Sequence, residues 1–557
     1  MDDAMTLEAS ANQPPPLEPY DLFASDPVLG AAMEREGGDR ETMAAFGKSV
    51  GTGEVFEWGF LANRHSPELA THDRFGNRID EVRYHPAYHS LLEMSVSAGI
   101  HCMRYESQPG DGGAVTRNAL MYLVSQVEVG HGCPTSMTSA ALGALEHQPE
   151  LAETWRPRLV SRSYDARLVE PSTKSGCLVG MGMTERQGGS DVRANTSIAE
   201  PVGASAAGLE GAHLLQGHKW FTSAPMCDAF LVLAQAPKGL SCFLVPRVLP
   251  DGQRNGLRFM RLKDKLGNRS NASGELEFDD ALAQMVGPEG RGVPTIIDMV
   301  NATRVDVAIW AVSLMRQAVA QAGWHAAHRS AFGSKLIDKP LMVNVLADLE
   351  LEVEAATLMM AQMSGAFDRA PTDPDEAAFS RLATAVGKYW LTKRSSPVVR
   401  EALECVGGNG YVEESILPRL YREAPLNAIW EGAGNVIALD VLRAMARSPH
   451  SVEAFADRLE RARGANATLD RHLADLRAAI GGHDDGGSGA TREAGARRLV
   501  EQMAQCWAAS LLVQHGDSAL AEAYVQSRLG GDWGSELGTL NPTASLGHIA
   551  ARAVPSR

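Results

Sequence analysis

The period of the hydrophobic positions changes twice along this 557-residue chain. Up to about residue 170 the pattern is mainly helical with polar punctuation, as in HPAYHSLLEMSVSAGIH from His85, where a proline at the first helical position suits a helix start. From about 175 to 287 the runs shorten to HLLQGHKWFTSA, AFLVLAQ, LSCFLVP, LRFMRLKDKLG and GELEFDDALAQMVG, aromatic and β-branched stretches between turn residues. They predict a compact β-domain of roughly six to eight strands. After GPEGRG the helical period returns and persists. Met342, Leu346, Leu349, Val353, Ala356 and Met360 form an apolar stripe suited to antiparallel bundle packing, which makes these methionines core. Helical patterns also cover about 294–330, 378–405 and 434–447, so four long helices make a bundle. A further helical segment runs from about 449 to 557, and GGHDDGGSGATREAG, Gly481 to Gly495, predicts a flexible linker inside it.

These patterns predict an α+β, mostly α chain. Its parts are a flexible N-terminal extension at 1–40, a helical domain at 41–174, a central β-domain at 175–287, a helical bundle at 288–447 and an additional helical C-terminal domain at 448–557. Composition adds exclusions. With 52 basic and 68 acidic residues the chain carries −16, which excludes a protein that coats nucleic acid with its whole surface but leaves room for a local basic patch. The seven cysteines are odd in number and never paired as C-x-x-C, so neither a disulfide framework nor structural zinc is expected, and reduced thiols point to the cytoplasm. The acidic, proline-rich start lacks the features of a secretory signal, and no apolar run is long enough to span a membrane. His85 and His89 lie four apart without a third ligand candidate spaced to join them, so no metal site is expected.

The glycine-dense loop GMGMTERQGGSDVRANTS, Gly180 to Ser197, is the strongest candidate for chemistry. It is not a Rossmann turn, because glutamate stands where the third glycine belongs, and no Gly-Lys-Ser/Thr follows to make a Walker loop. Its strand-like surroundings place any bound nucleotide on a β-domain. Three other segments accompany it: HKWFTSA around Trp220, RSAFG at Arg329–Gly333, and ECVGGNGYVEESILPRLYREAPLNAIWEGAGNV from Glu404 to Val436.

In their order and spacing, the four resemble the acyl-CoA dehydrogenase superfamily of flavoproteins, over about residues 85–445. HPA-H, LPDGQRN, RLKDKLGNRSNAS, EESILPRLYRE and IWEGAGNVIALDVLR extend the resemblance to its AidB-like branch, whose members carry an extra C-terminal helical region. The implied fold has a helical N-terminal domain, a central β-barrel-like domain and a C-terminal helical bundle. The implied cofactor is FAD. Thr184 would meet the flavin pyrimidine, Gly189 and Ser190 the pyrophosphate, Trp220 the isoalloxazine, and Thr222 its N5. Met183, Phe221, Ile429, Trp430, Gly432 and Asn435 match further cofactor positions. Arg329, Phe332, Gly407 and Gly408 match positions that reach the cofactor of a neighbouring subunit, which implies a homo-oligomer, in this family a tetramer. Glu431 matches the catalytic base, and Arg304 an arginine on the CoA-facing side. A carboxylate that removes the α-proton while flavin accepts the β-hydride is what thioester dehydrogenation needs. The chain departs from the family at Glu404, where glutamine is common, and at Ala433, where Thr or Ser is common.

The resemblance also implies that the C-terminal region binds double-stranded DNA. From Arg443 to Arg557 there are 13 Arg, no Lys and 13 acidic residues, so this segment is neutral while the remainder holds the whole negative charge. Arg458, Arg461, Arg463, Arg471 and Arg477 are close enough in sequence to form a patch, although acidic residues interleave. Two functions follow as alternatives. One is a flavoprotein of the response to DNA alkylation, binding DNA and keeping an acyl-CoA dehydrogenase-type site with weak or altered activity. The other is an active acyl-CoA dehydrogenase whose C-terminal domain serves assembly only.

Overall fold

Alternating strands between residues 175 and 287 fold into one seven-stranded sheet. In a computed structural model, which describes residues 12–203, 205–481 and 489–556, its strands run in the order 257–262, 273–286, 239–246, 229–236, 179–182, 212–223, 198–201. The long strand Ser273–Val286 also pairs with Ala212–Ser223, so the sheet curls back on itself as a barrel. Ala229–Ala236 is buried at nearly every position and hydrogen-bonds on both edges, as a continuous apolar run requires. Gly180 is small for a reason: a Cβ there would lie 2.7 Å from the Phe230 ring.

The chain groups into two compact units. One holds residues 54–108 and 128–306, including the sheet; the other holds residues up to 53, 109–127 and 307–557. This division is not the linear one read from the hydrophobic pattern. The reason lies in the helix Gly113–Ser125, every residue of which is buried. Asp368 accepts from the backbone N–H groups of Gly110, Gly112 and Ala114 at 2.8–3.0 Å, and Asn118 donates to Ser364. A segment early in the sequence is thereby a core member of the bundle. The expected flexible N-terminal extension also differs where it can be described: Leu17, Leu22, Leu29 and Met33 are buried, and Pro27–Arg35 is helical with Asp26 as its N-cap. Its first eleven residues lie outside the described residues.

The bundle consists of Gly292–His328, which passes through both units, and Pro340–Arg369, Pro374–Val406 and Gly434–Arg447. The helices after residue 448 are built into it. Trp507 is fully buried with its ring edge-on to Phe379 and Phe455, and its indole N–H reaches Gln362 at 2.7 Å. Arg528 lies between the buried carboxylates Asp348 and Glu352, which also meets Arg394. Burial would push the Glu352 carboxyl up, but these two guanidinium groups hold it down to about 2. Of the expected linker, residues 482–488 lie outside the described residues, and Gly489–Gly495 already belong to the helix Gly489–His515. No helix among the described residues is long and apolar enough to cross a membrane.

Candidate flavin loop and carboxylate

In the sheet-bearing unit, the loop that follows Val179–Gly182 is held by one buried ion pair. Lys219 Nζ, on the strand Ala212–Ser223, lies 2.6 Å from Glu185 Oε1 and donates to the Leu233 carbonyl at 2.7 Å. Both side chains are 0 % exposed. Glu185 also accepts from the Thr196 N–H at 2.6 Å and the Ser197 N–H at 3.2 Å, so a single carboxylate ties both ends of the loop to the sheet. Burial raises a carboxyl, yet the ammonium and these donors hold Glu185 below its ordinary value, at about 2. Asn195 donates to the Met183 carbonyl, and the Trp220 N–H donates to the Thr184 carbonyl at 2.8 Å.

Gly189 passes so close to Thr184 that a Cβ would sit 2.5 Å from its hydroxyl, and Ser190 beside it is exposed. Thr222 is fully buried, and its Oγ1 has no hydrogen-bond partner. A buried hydroxyl without a partner costs about 1–3 kcal/mol, so its presence needs a reason. A ligand acceptor at this position supplies one, and the residues therefore fit a flavin whose polar edge meets Thr222. Trp220 is half-buried, with Lys263 Nζ 3.3 Å from its ring centroid and the guanidinium carbons of Arg186 and Arg261 at 5.4 and 6.0 Å. Phe221 is 47 % exposed. Arg304 is buried on the helix Gly292–His328, with a guanidinium nitrogen 3.4 Å from Asn301 Oδ1.

In the helical unit, Glu431 stands just before the helix Gly434–Arg447 and adopts φ +56°, the left-handed region that costs a non-glycine residue about 1–2 kcal/mol. The Gly432 carbonyl that follows accepts from Lys388 Nζ at 2.5 Å. Trp430 is fixed on both sides: its ring lies 5.2 Å from that of Trp310, and its N–H donates to Asn427 Oδ1. Ile429 is exposed, and Asn435 is exposed on the first turn of the helix.

Arg329 donates to the Asn12 carbonyl at 2.7 Å, at the base of the hairpin Ser330–Ala331/Ser334–Lys335. The tip is Phe332–Gly333, both at positive φ as a type I′ turn requires, and Phe332 is 99 % exposed. A bulky residue in the left-handed region with its ring in open space is a poor choice for an isolated chain. Gly407, at φ +67°, ends the helix Pro374–Val406, and it and Gly408 have open space where a Cβ would stand.

Of the five arginines in the predicted patch, Arg461, Arg463, Arg471 and Arg477 are exposed. Arg458 is mostly buried, ion-paired to Glu376 and lying 4.8 Å from the centre of the Phe379 ring. Arg463 and Arg477 both address Glu460, and Arg471 approaches Thr468. His85 and His89 are also accounted for: His85 Nδ1 accepts from the Ala87 N–H, capping its helix, and His89 Nδ1 lies 2.7 Å from the Tyr164 hydroxyl.

Sequence reasoning read Glu185 and Lys219 as parts of two separate motifs and missed that they are one pair. The available signal was a lone acid and a lone base, each within a segment otherwise read as apolar or glycine-rich. Arg528, which serves two buried carboxylates, carried no signal that distinguishes it from other arginines of the tail.

Comparison with known proteins places this arrangement. Residues 12–166 match the adaptive response protein AidB N-terminal domain, 180–281 the acyl-CoA dehydrogenase middle domain and 290–446 the acyl-CoA dehydrogenase C-terminal domain. The chain is 45 % identical to AidB of Escherichia coli (strain K12) over 468 residues, 84 % of this chain and 85 % of that one. The crystal structure of Caenorhabditis elegans ACDH-11 in complex with C11-CoA is 27 % identical and superposes with a TM-score of 0.83, covering 98 % of this chain and 93 % of that chain. An acyl-CoA dehydrogenase complexed with FAD from Bacillus anthracis, at 18 % identity and a TM-score of 0.64 over 80 % of this chain and 81 % of that one, shares the fold. The chain belongs to the acyl-CoA dehydrogenase family, in the branch that carries the AidB N-terminal domain.

Proposed function

We propose that this chain is an FAD-dependent oxidoreductase of the acyl-CoA dehydrogenase type, acting on an acyl-CoA thioester. The observation that carries the reading is the Thr222 hydroxyl, buried without a partner beside a glycine loop pinned by Glu185 and Lys219. Thr184, Gly189, Ser190, Trp220 and Thr222 would hold the cofactor in the sheet-bearing unit. FAD, when bound, supplies the hydride acceptor. Glu431 takes the α-proton of the thioester, and the packing of Trp430 against Trp310 and Asn427 holds its backbone in the left-handed conformation. Lys263 and Arg261, which share the Glu275 carboxylate, and Arg186, 3.8 Å from Glu277, pack around Trp220 and fix its ring beside the loop. Arg304 serves the CoA side. Phe332, with Arg329, Gly407 and Gly408, reaches the cofactor of a neighbouring copy in a homotetramer, which accounts for a fully exposed ring on a strained hairpin tip.

Thr222→Val tests the reading through two opposed effects. Removing a buried hydroxyl without a partner leaves the cofactor-free protein as stable as the parent or more so, while FAD affinity falls. A variant that binds FAD as tightly as the parent would remove the flavin edge from Thr222.

A second activity, double-stranded DNA binding within a cytoplasmic response to DNA alkylation, is favoured by the exposed Arg461, Arg463, Arg471 and Arg477 on a neutral segment of an acidic chain. In this reading the dehydrogenase-type site is retained with weak or altered activity.

A further inference from the structure

Two adjacent arginines on the helix Gly489–His515, both exposed, have different surroundings. Arg498 makes no hydrogen bond or ion pair among the described residues, whereas Arg497 turns back onto the bundle. Its Nε donates to the Tyr389 hydroxyl at 3.1 Å, and its Nη1 lies 3.5 Å from Asn435 Oδ1. Lys393, one turn along from Tyr389, places its Nζ 5.4 Å from the centroid of the same ring. It also borders Gly434, where an added Cβ would meet Lys393 Cε at 2.7 Å. Two cations from different parts of the sequence thus gather around Tyr389 and the segment Gly434–Asn435.

Neither cation has a carboxylate within ion-pair distance among the described residues. Exposed arginines such as Arg461 and Arg498 share that lack, but here the neutral contacts of two such cations, those to Tyr389 and to Gly434–Asn435, draw them together. Elsewhere in the extension Arg458, Arg463, Arg528 and Arg552 all have carboxylate partners. Burial and the neighbouring Arg497 both lower the Lys393 ammonium below its ordinary value, which records like charges held together without compensation. Neutral partners hold the two side chains in place without cancelling their charge. The donors they offer to solvent, a planar guanidinium, an ammonium and an exposed amide, suit a phosphate group.

We propose that the C-terminal extension completes the nucleotide site of the bundle: Arg497, with Lys393 and Asn435, binds a phosphate group of the cofactor or substrate. The inference rests on the flavoprotein reading, in which Asn435 is a cofactor position. Two ligands of that reaction carry the required chemistry, FAD through its diphosphate and acyl-CoA through its phosphates. The extension then acts in catalysis as well as in the architecture of the bundle.

The test uses the full-length protein and two titrations, FAD into cofactor-free protein and undecanoyl-CoA into the FAD-loaded protein, each followed by fluorescence. Arg497→Ala, Lys393→Ala and the control Arg498→Ala are compared, with thermal melts to show that all three fold. One charge-assisted hydrogen bond lost at Arg497 predicts weakening of about 10- to 100-fold, with a shallower salt dependence, while Arg498→Ala changes neither ligand. Arg497→Lys should recover part of the loss. Loss confined to FAD assigns the phosphate to the flavin dinucleotide, and loss confined to undecanoyl-CoA assigns it to the substrate. If the parent binds both ligands and Arg497→Ala and Lys393→Ala bind them equally well, the proposal is wrong although the flavoprotein reading stands. A parent that binds neither FAD nor undecanoyl-CoA would overturn that reading itself.

Discussion

Replacing Lys219 by Met tests whether the buried ion pair holds the glycine loop Gly180–Ser197 in place. The methionine side chain fills nearly the same volume, so packing is conserved while the ammonium is lost. Glu185 is then left fully buried, with the Thr196 and Ser197 donors but no counter-charge, and the Leu233 carbonyl loses its donor. Breaking one side of a buried pair typically costs about 3–5 kcal/mol, which for a unit of this size lowers Tm by about 6–20 °C. Because Glu185 anchors Thr184 and Gly189 through its loop, FAD affinity should fall as well. The acid side of the profile carries a second signature. The folded carboxyl lies near 2 against an ordinary 4.5, so its contribution is fully present above about 4.5 and is lost as pH falls from there towards 2. Parent and Lys219→Met, melted between pH 7 and pH 3, should therefore differ most at neutral pH and converge in acid. A loss below about 1 kcal/mol at pH 7 would refute the reasoning, since it would place the pair in the regime of exposed salt bridges.

Arg528→Met leaves Asp348 without its guanidinium partner and Glu352 with Arg394 alone, so urea denaturation should show a loss of about 3 kcal/mol, against less than 0.5 kcal/mol for the exposed Arg498→Ala. If Arg528→Met unfolds like the parent, the extension is not integral to the bundle. DNA binding through Arg461, Arg463, Arg471 and Arg477 predicts a slope of about −3.6 in log K against log salt, abolished by the fourfold alanine variant. Arg458→Ala should instead lower stability and leave the slope unchanged, because that guanidinium is committed to Glu376. A slope that survives the fourfold change would place DNA elsewhere.

Much of the fold was legible because the hydrophobic period is strong where single elements are buried on one side. The strand Leu257–Leu262, which alternates buried and exposed positions, and the helix Gly434–Arg447, which buries Ile437, Ala438, Val441 and Ala444, are examples, whereas the helix Pro340–Arg369 shows its stripe although it is buried on all faces from Leu346 to Ala361. The units were less legible, because the helix Gly113–Ser125 is buried on all faces and its sequence carries no stripe that says which core it joins. Order in residues 12–40 was hidden behind a proline-rich, polar composition in which the burial of Leu17, Tyr20, Leu22, Phe23, Leu29 and Met33, taken together, follows no single helical or strand period. At the candidate site, order and spacing singled out the glycine loop and the aromatic strand, and the family resemblance added Glu431. What spacing could not supply is pairing across the sheet, so the Glu185–Lys219 bond and the unpartnered Thr222 hydroxyl became visible only in three dimensions. Arg458 is the converse case: in sequence it is one of five similar arginines, and its burial against Phe379 distinguishes it.

The most direct test of the proposed chemistry is anaerobic titration of the FAD-loaded protein with undecanoyl-CoA and a series of shorter and branched acyl-CoAs, recorded at the flavin absorbance. The parent should bleach with at least one thioester. Glu431→Gln, which keeps the shape and removes the base, should retain FAD and bleach about 10²- to 10⁴-fold more slowly. Bleaching of Glu431→Gln at the parent's rate, or a parent that holds FAD and is reduced by none of the series, would contradict the account.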